Sequence, residues 1–263
     1  MNRSNILANL ALIFVAVIWG LNFVVFKLAL EGITPYLLLG LRFAVASIVM
    51  VLVFRKQLKK MTKADLKAGL LIGLVMTMGY ITQTVGLVYT TPAKSGFITG
   101  SGVVMVPFIA FAISKVFPGW FQILGAVLTF CGIGVISLTG AVTINPGDVL
   151  TLICAVFFAL QTVFTEQHVK KANPINIAVI QTILAAVVNM VLAVFTKSSF
   201  QALDLKIAGA IVFTAVLGTA GCFVIQNIAQ KYTSATNTAV ILSTESIFAG
   251  VFSYLILNET LTP

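Results

Sequence analysis

Charged residues are scarce in this sequence, and most of its long apolar runs contain none. Only 9% of the 263 residues are Asp, Glu, Lys or Arg, whereas 59% are hydrophobic, and the mean hydropathy is +1.09. A soluble protein of 28.0 kDa cannot bury that much apolar surface. This composition excludes a soluble globular domain and indicates a polytopic membrane protein.

Cysteine and histidine are also rare. The three cysteines and the one histidine, His168, form neither a CxxC motif nor a Cys/His metal spacing, and they make no secreted disulfide framework. HExxH, Gly-x-Ser-x-Gly and Walker motifs are missing as well. We therefore expect no metal site, no cofactor and no ATP-driven step, and we do not expect an enzyme.

What the sequence does contain is a series of apolar runs, each near the roughly 20 residues that a helix needs to cross a bilayer. Continuous apolar runs indicate helices, because a β-barrel would show short alternating segments. The predicted fold class is thus an all-α polytopic membrane protein. The runs are Ile6–Phe26, Pro35–Phe54, Ala68–Val88, Ser95–Ser114, Trp120–Gly140, Val149–Thr165, Ile175–Phe195, Ile207–Gln230 and Thr233–Leu257.

The basic residues are distributed unevenly between the two sides of the predicted membrane. A cluster at residues 55–67 lies between the second and third runs, and the positive-inside rule places such a loop in the cytoplasm. Counting spans from this loop places the N-terminus in the cytoplasm too and predicts a multi-pass protein of the cell inner membrane. Topology therefore explains the net charge of +9, and nucleic acid is not an expected partner.

The two halves of the chain resemble each other weakly. A shift of 139 positions aligns Lys27 with Glu166, and a shift of 143 aligns Tyr80–Gln83 with Phe223–Gln226. The copies are five spans apart, an odd number, so the second copy enters the membrane in the opposite orientation. Secondary transporters are commonly built from such inverted repeats, with the substrate near the midplane between them.

We therefore predict two repeats, residues 1–143 with five transmembrane helices and residues 144–263 with four. The equivalent of Trp120–Gly140 in the second repeat would follow Pro263. Nine of ten helices are thus expected within this sequence, and we expect a tenth helix to be needed for full stability and transport.

Several segments resemble the ten-helix EamA-type branch of the drug/metabolite transporter superfamily. They are Val17–Phe23 in the first run, Pro35 and Leu41–Phe43 in the second, and Thr244–Ala249 followed by Asn258–Thr262. The resemblance covers the whole chain. It implies a central cavity lined by the first, third, fourth, sixth, eighth and ninth spans.

Two ionisable residues, Arg42 and Glu245, lie within predicted spans. Charged groups in hydrocarbon cost about 2.5–3.5 kcal/mol on insertion scales, so each needs a partner, a cavity or a route to the interface. One hypothesis assigns Glu245 to ion coupling and Arg42 to an anion contact or a counter-charge. The alternative is a structural ion pair or, for Arg42, a side chain that reaches the interface.

Polar and aromatic side chains within the spans form a second group of candidates for the substrate pathway. Any single amide could instead join two helices, so the set carries more weight than any member. The candidates are Trp19, Asn22, Tyr80, Gln83, Gln161, Gln226 and Asn227.

The favoured function is a secondary transporter for small metabolites, amino acids or related compounds, working as an exporter by alternating access. A passive channel or membrane scaffold is the alternative, and an intramembrane enzyme is less favoured. The expected partners are a small-molecule substrate and the lipid bilayer, and a homodimer is left open.

Overall fold

The computed structural model describes residues 3–115, 119–137, 145–200 and 204–258. Over these ranges the regular secondary structure is helical, apart from one isolated β-bridge between Ile33 and Phe200. The α-helices are α1 (Arg3–Ala29), α2 (Pro35–Val53), α3 (Arg55–Leu58), α4 (Lys63–Val88), α5 (Pro92–Gly100), α6 (Gly102–Ser114), α7 (Trp120–Ser137), α8 (Pro146–Val169), α9 (Pro174–Phe195), α10 (Leu205–Ala215), α11 (Cys222–Ala229), α12 (Ala235–Leu242) and α13 (Glu245–Leu257). A π-helix, Val216–Gly221, connects α10 to α11.

Eight helical segments of the described chain are long and apolar enough to cross a membrane. They correspond to every predicted run except Trp120–Gly140, which forms α7 as far as Ser137, while residues 138–140 lie outside the described residues. The prediction of an all-α polytopic membrane protein is confirmed.

Polar residues and proline, rather than hydropathy, set where the helices begin. Asn145 and Asp148 form a capping box at the start of α8, in which each side chain accepts a hydrogen bond from the backbone N–H of the other residue. The predicted span Val149–Thr165 was therefore too short, because α8 already begins at Pro146 and ends at Val169. Proline also occupies the first position of α2, α5 and α9, where its missing N–H has no cost.

Three of the apolar runs are interrupted, which the hydropathy pattern did not predict. The α-helical hydrogen bonding is interrupted at Ser101 in the fourth run, between α5 and α6, and at Ser243 and Thr244 in the ninth run, between α12 and α13. We call these two interruptions breaks, although the backbone keeps right-handed helical angles at all three residues. Ser101 and Thr244 are 143 positions apart. The same shift aligns Tyr80–Gln83 of the first half with Phe223–Gln226 of the second half. The eighth run contains the π-helix.

Each main contact between two helices has a matching contact between the equivalent helices of the predicted repeats. The α2 helix lies against α9, its counterpart. The contact of α4 with α8 has its counterpart in the contact of α1 with α10, the π-helix and α11. Likewise, α1 packs on α12 and α13, as α8 packs on α5 and α6. The two halves therefore interlock through equivalent helix pairs.

Two charged residues at equivalent positions hold the loops that lead into the broken helices. Lys27 Nζ donates hydrogen bonds of 2.9–3.3 Å to the carbonyl oxygens of Leu87, Val88 and Thr90, where α4 ends. Glu166 Oε2 accepts a hydrogen bond of 2.8 Å from the N–H of Ala235, where α12 begins. A cation suits the carbonyl end of a helix and an anion suits the amide end.

Candidate functional site: a central cavity between broken helices

A cavity of about 90 Å³ lies where the broken helices meet α1, α2, α4, α8 and α11. Its wall contains eight of the nine predicted site residues, namely Trp19, Asn22, Arg42, Tyr80, Gln83, Gln161, Gln226 and Glu245. The remaining one, Asn227, is buried elsewhere and donates a hydrogen bond of 3.2 Å to the carbonyl oxygen of Pro174, which joins α11 to α9.

Glu245 is the acidic residue of the cavity wall. It is the first residue of α13, immediately after the break at Ser243 and Thr244, and its exposed fraction is 8%. Within the described parts of the chain, its carboxylate has no hydrogen-bond donor and no basic partner. A carboxylate that faces a largely apolar cavity without a partner is available to a proton or to a cationic group of a solute.

Arg42 of α2 belongs to the cavity wall, and its side chain is completely buried. Its Nε donates a hydrogen bond of 2.5 Å to Thr219 Oγ1, and its Nη2 donates one of 3.3 Å to the carbonyl oxygen of Gly218. The guanidinium also lies 4.7 Å and 4.8 Å from the ring centroids of Phe26 and Tyr80. Across the described ranges, Arg42 and Glu245 form no ion pair, so the structural-pair alternative does not hold there.

Aromatic rings form one side of the cavity. The ring of Tyr80 packs edge-on against Phe158 at 5.0 Å and against Phe223 at 6.1 Å, and Trp19 lies 5.6 Å from Phe223. Such edge-to-face pairs are favourable beyond the apolar area that they bury. These rings come from α1, α4, α8 and α11, so they join both halves of the chain at the cavity.

The amide side chains of the wall differ in how well they are satisfied. Gln83 donates to Thr99 Oγ1 at 3.2 Å, and Gln161 donates to Thr165 Oγ1 at 3.4 Å. Gln226 is fully buried, and both polar atoms of its amide lack a hydrogen-bond partner among the residues that the structure describes. A buried polar group without a partner costs about 1–3 kcal/mol, which makes Gln226 the amide with the most to gain from a solute.

Several residues of the site carry no signal in the sequence that would predict their role. Phe158 and Phe223 look like ordinary apolar residues of a span, and the π-helix with Gly218 and Thr219 has no hydropathy signal. The only available hints were the small and hydroxyl-bearing residues at the breaks, such as Ser243. Such residues permit close helix packing and are therefore common in membrane helices in any case.

No group of three or more His, Cys, Asp or Glu side chains that could hold a metal ion occurs in the parts of the chain that the structure describes. Cys154 and Cys222 are both buried, free thiols.

The sequence profile of the EamA-like transporter family matches the chain twice, at residues 6–138 and at residues 145–263. An uncharacterized transporter of Archaeoglobus fulgidus is 36% identical over 256 residues, which cover 97% of this chain and 80% of that protein. The uncharacterized transporter YoaV of Bacillus subtilis is 23% identical over 264 residues, which cover 96% and 89% of the two chains.

A solved crystal structure resembles the fold with a TM-score of 0.78. The similarity covers 96% of this chain and 89% of the other, at 13% sequence identity. At this identity the likeness concerns the fold alone.

Proposed function

Because the chain belongs to the EamA-like transporter family, we propose that it is a secondary transporter that exports small metabolites, amino acids or related compounds across the cytoplasmic membrane by alternating access. The observation that carries the proposal is the central cavity, in which Glu245 lies without a partner among the described residues at the break of the ninth span.

The paired breaks support a transport pathway. Helices that are interrupted at corresponding places of two repeats typically surround the substrate site of a secondary transporter. The breaks at Ser101 and at Ser243 and Thr244 both adjoin the cavity, which Gly100 and Ser243 line. We assign the two repeats to residues 1–143 and 144–263.

The size of the cavity also favours alternating access. Its volume of about 90 Å³ is smaller than the roughly 300 Å³ at the lower end of ordinary ligand sites. A metabolite can therefore enter only if the walls move apart. In this proposal the basic loop at residues 55–67 and the N-terminus face the cytoplasm.

The side chains have distinct roles in this proposal. Glu245 carries the coupling proton or cation, while Arg42 supplies the positive charge of the wall. The aromatic rings and the amides form the substrate pathway, and their mixture suits a solute with both apolar and polar groups.

A passive channel or a scaffold is the second candidate, and it would also span the bilayer with a polar interior. The packing of the Tyr80 ring against Phe158 of the second half and Phe223 of the same half favours a carrier over an open pore. An intramembrane enzyme is less favoured, because the described residues of the cavity wall include one carboxylate and no histidine or cysteine.

Reconstitution into liposomes tests the proposal. Vesicles loaded with an unlabelled amino acid are diluted into the same radiolabelled amino acid, and a panel of amino acids is tested one at a time. A carrier accumulates label transiently by exchange and saturates with concentration, whereas a channel only equilibrates the label. Absence of saturable exchange for every compound of an extended metabolite panel would reject the transporter proposal.

A further inference from the structure

The π-helix Val216–Gly221 is bound by side chains of two other helices. Trp19 Nε1 of α1 donates a hydrogen bond of 2.9 Å to the carbonyl oxygen of Gly218, and Arg42 of α2 donates to the same oxygen. A π-helix contains an extra residue in its turn, and such turns occur frequently at functional sites. Here, one carbonyl oxygen of the turn accepts from both the indole and the guanidinium.

Thr219 completes this arrangement. Its Oγ1 accepts the hydrogen bond from Arg42 Nε and donates its own hydrogen, at 2.9 Å, to the carbonyl oxygen of Thr214. Thr214 lies five residues earlier, so the hydroxyl bridges the widened turn from within. The Arg42 guanidinium is thus linked to the backbone in two ways. Thr219 links it to the carbonyl oxygen of Thr214, before the π-helix, and a direct hydrogen bond links it to the carbonyl oxygen of Gly218, inside the π-helix.

The environment of Arg42 gives this contact its importance. The side chain is fully buried, and no acidic residue of the described chain pairs with it. Burial of an unpaired charge costs several kcal/mol, so the acceptors that remain must offset it. Besides the aromatic rings, the described acceptors are the Gly218 carbonyl oxygen and the Thr219 hydroxyl.

Close packing fixes the same turn against α1. A Cβ atom at Gly218 would overlap the amide of Asn22, another residue of the cavity wall. The π-helix is therefore in contact with α1 through Trp19 and Asn22 and with α2 through Arg42.

We infer that Arg42 is a positioning residue that keeps Val216–Gly221 in the π-helical form, and that it acts on the substrate pathway through this turn. If the extra residue leaves the turn, the helix after it rotates by roughly 100°, the rotation of one residue in an α-helix. That rotation carries Phe223 and Gln226 of α11 away from their present places in the cavity wall. The consequence for transport rests on the proposed function, but the state of the turn does not.

Tryptophan fluorescence tests the inference without any transported solute. The chain has two tryptophans, and Trp120 is 69% exposed, so Trp120→Phe leaves Trp19 as the reporter next to Gly218. In this background, reconstituted in lipid nanodiscs, Arg42→Lys should shift the Trp19 emission and increase its quenching by acrylamide, since an ammonium cannot hold two acceptors with the planar geometry of a guanidinium.

Two substitutions at Thr219 distinguish the loss of its hydrogen bond from a general loosening of the fold. Thr219→Ser keeps the hydroxyl and should leave the emission at the level of the parent protein, whereas Thr219→Val removes it and should reproduce the shift of Arg42→Lys. Gln181→Met, at the position equivalent to Arg42 in the second half, should leave the emission unchanged.

Hydrogen exchange of peptides covering residues 214–226 should change in Arg42→Lys and Thr219→Val alone. Unchanged emission and exchange in both of these variants, while they remain folded, would overturn the inference. An equal shift in all four variants, including Thr219→Ser and Gln181→Met, would overturn it as well, because the effect would then be general loosening.

Discussion

Lys94 and Asp148 form an ion pair of 2.7 Å that joins the start of α5 to the start of α8. The Asp148 carboxylate also accepts hydrogen bonds from Thr90 Oγ1 at 3.0 Å and from the N–H of Asn145 at 2.9 Å. A single carboxylate thus caps one helix and connects it to the loop before another. Because Asp148 is buried, this pair contributes more than an exposed one.

Asp148→Ala should therefore lower the stability by about 1–3 kcal/mol, since it removes a helix cap and leaves a buried hydroxyl and a lysine without their acceptor. The melting temperature in detergent measures this loss. Lys170→Ala is the control, because Lys170 pairs with Glu166 on the surface, where such pairs contribute about 0.3–0.5 kcal/mol. Equal losses in the two variants would contradict the prediction.

Two helical glycines, Gly20 of α1 and Gly209 of α10, differ sharply in the space around them. A Cβ atom at Gly20 would lie 2.8 Å from the carbonyl oxygen of Glu245 and 2.9 Å from the N–H nitrogen of Ala249, both backbone atoms of α13. At Gly209, no such neighbour lies within 4 Å. Gly20→Ala should thus destabilise the protein by about 1–3 kcal/mol through overpacking, whereas Gly209→Ala should be neutral or slightly stabilising. Thermal unfolding of both variants decides the matter, and similar melting temperatures would show that α13 can move away from α1.

Glu245→Gln should affect transport more than folding. The substitution keeps the shape of the side chain and removes the charge that we assign to ion coupling. We expect a large loss of gradient-driven flux and a loss of its dependence on pH, with little change in melting temperature. Glu31→Gln, at an exposed position, is the control and should behave as the parent protein. An unchanged rate and pH profile in Glu245→Gln would exclude the coupling role.

The orientation in the membrane is open to direct labelling. In a version without cysteine, Lys59→Cys should react with an impermeant thiol reagent only from the cytoplasmic side, and Glu31→Cys only from the outside, because one span separates the two loops. Both positions are exposed, and at Lys59 it is the backbone N–H rather than the side chain that bonds to the end of α3. Labelling of both from the same side would refute the topology.

Hydropathy was sufficient to predict the class of protein and nearly all of its spans, because lipid imposes long apolar helices on any such chain. Hydropathy also identified Glu245 and Arg42 as candidate site residues, since ionisable residues are rare within membrane spans. The breaks and the π-helix could not be predicted in this way, because residues such as Ser101 and Gly218 are equally common in continuous helices. The cap at Asn145 was overlooked for a related reason, since it lies outside the apolar run whose start it determines.

Asn227 shows the limit of selecting polar residues within spans. It carries an amide group, as its neighbour Gln226 on the same helix does, yet the rotation of one residue turns it toward α9, where it bonds to the carbonyl oxygen of Pro174. The helical phase decides which of two adjacent amides reaches the cavity. The sequence alone does not fix that phase next to a π-helix.

The opposite charges of Lys27 and Glu166 bear on how the two halves have diverged. Each half needs a side chain to hold the loop before its broken helix, but one offers carbonyl oxygens and the other an amide N–H. Each charged side chain and the loop that it holds lie in the same half, so exchanging Lys27 and Glu166 alone would place an ammonium against an N–H donor and a carboxylate against carbonyl oxygens. If both halves descend from one duplicated gene, the residue and its loop have therefore changed together, and a working chimera would have to take both from the same half.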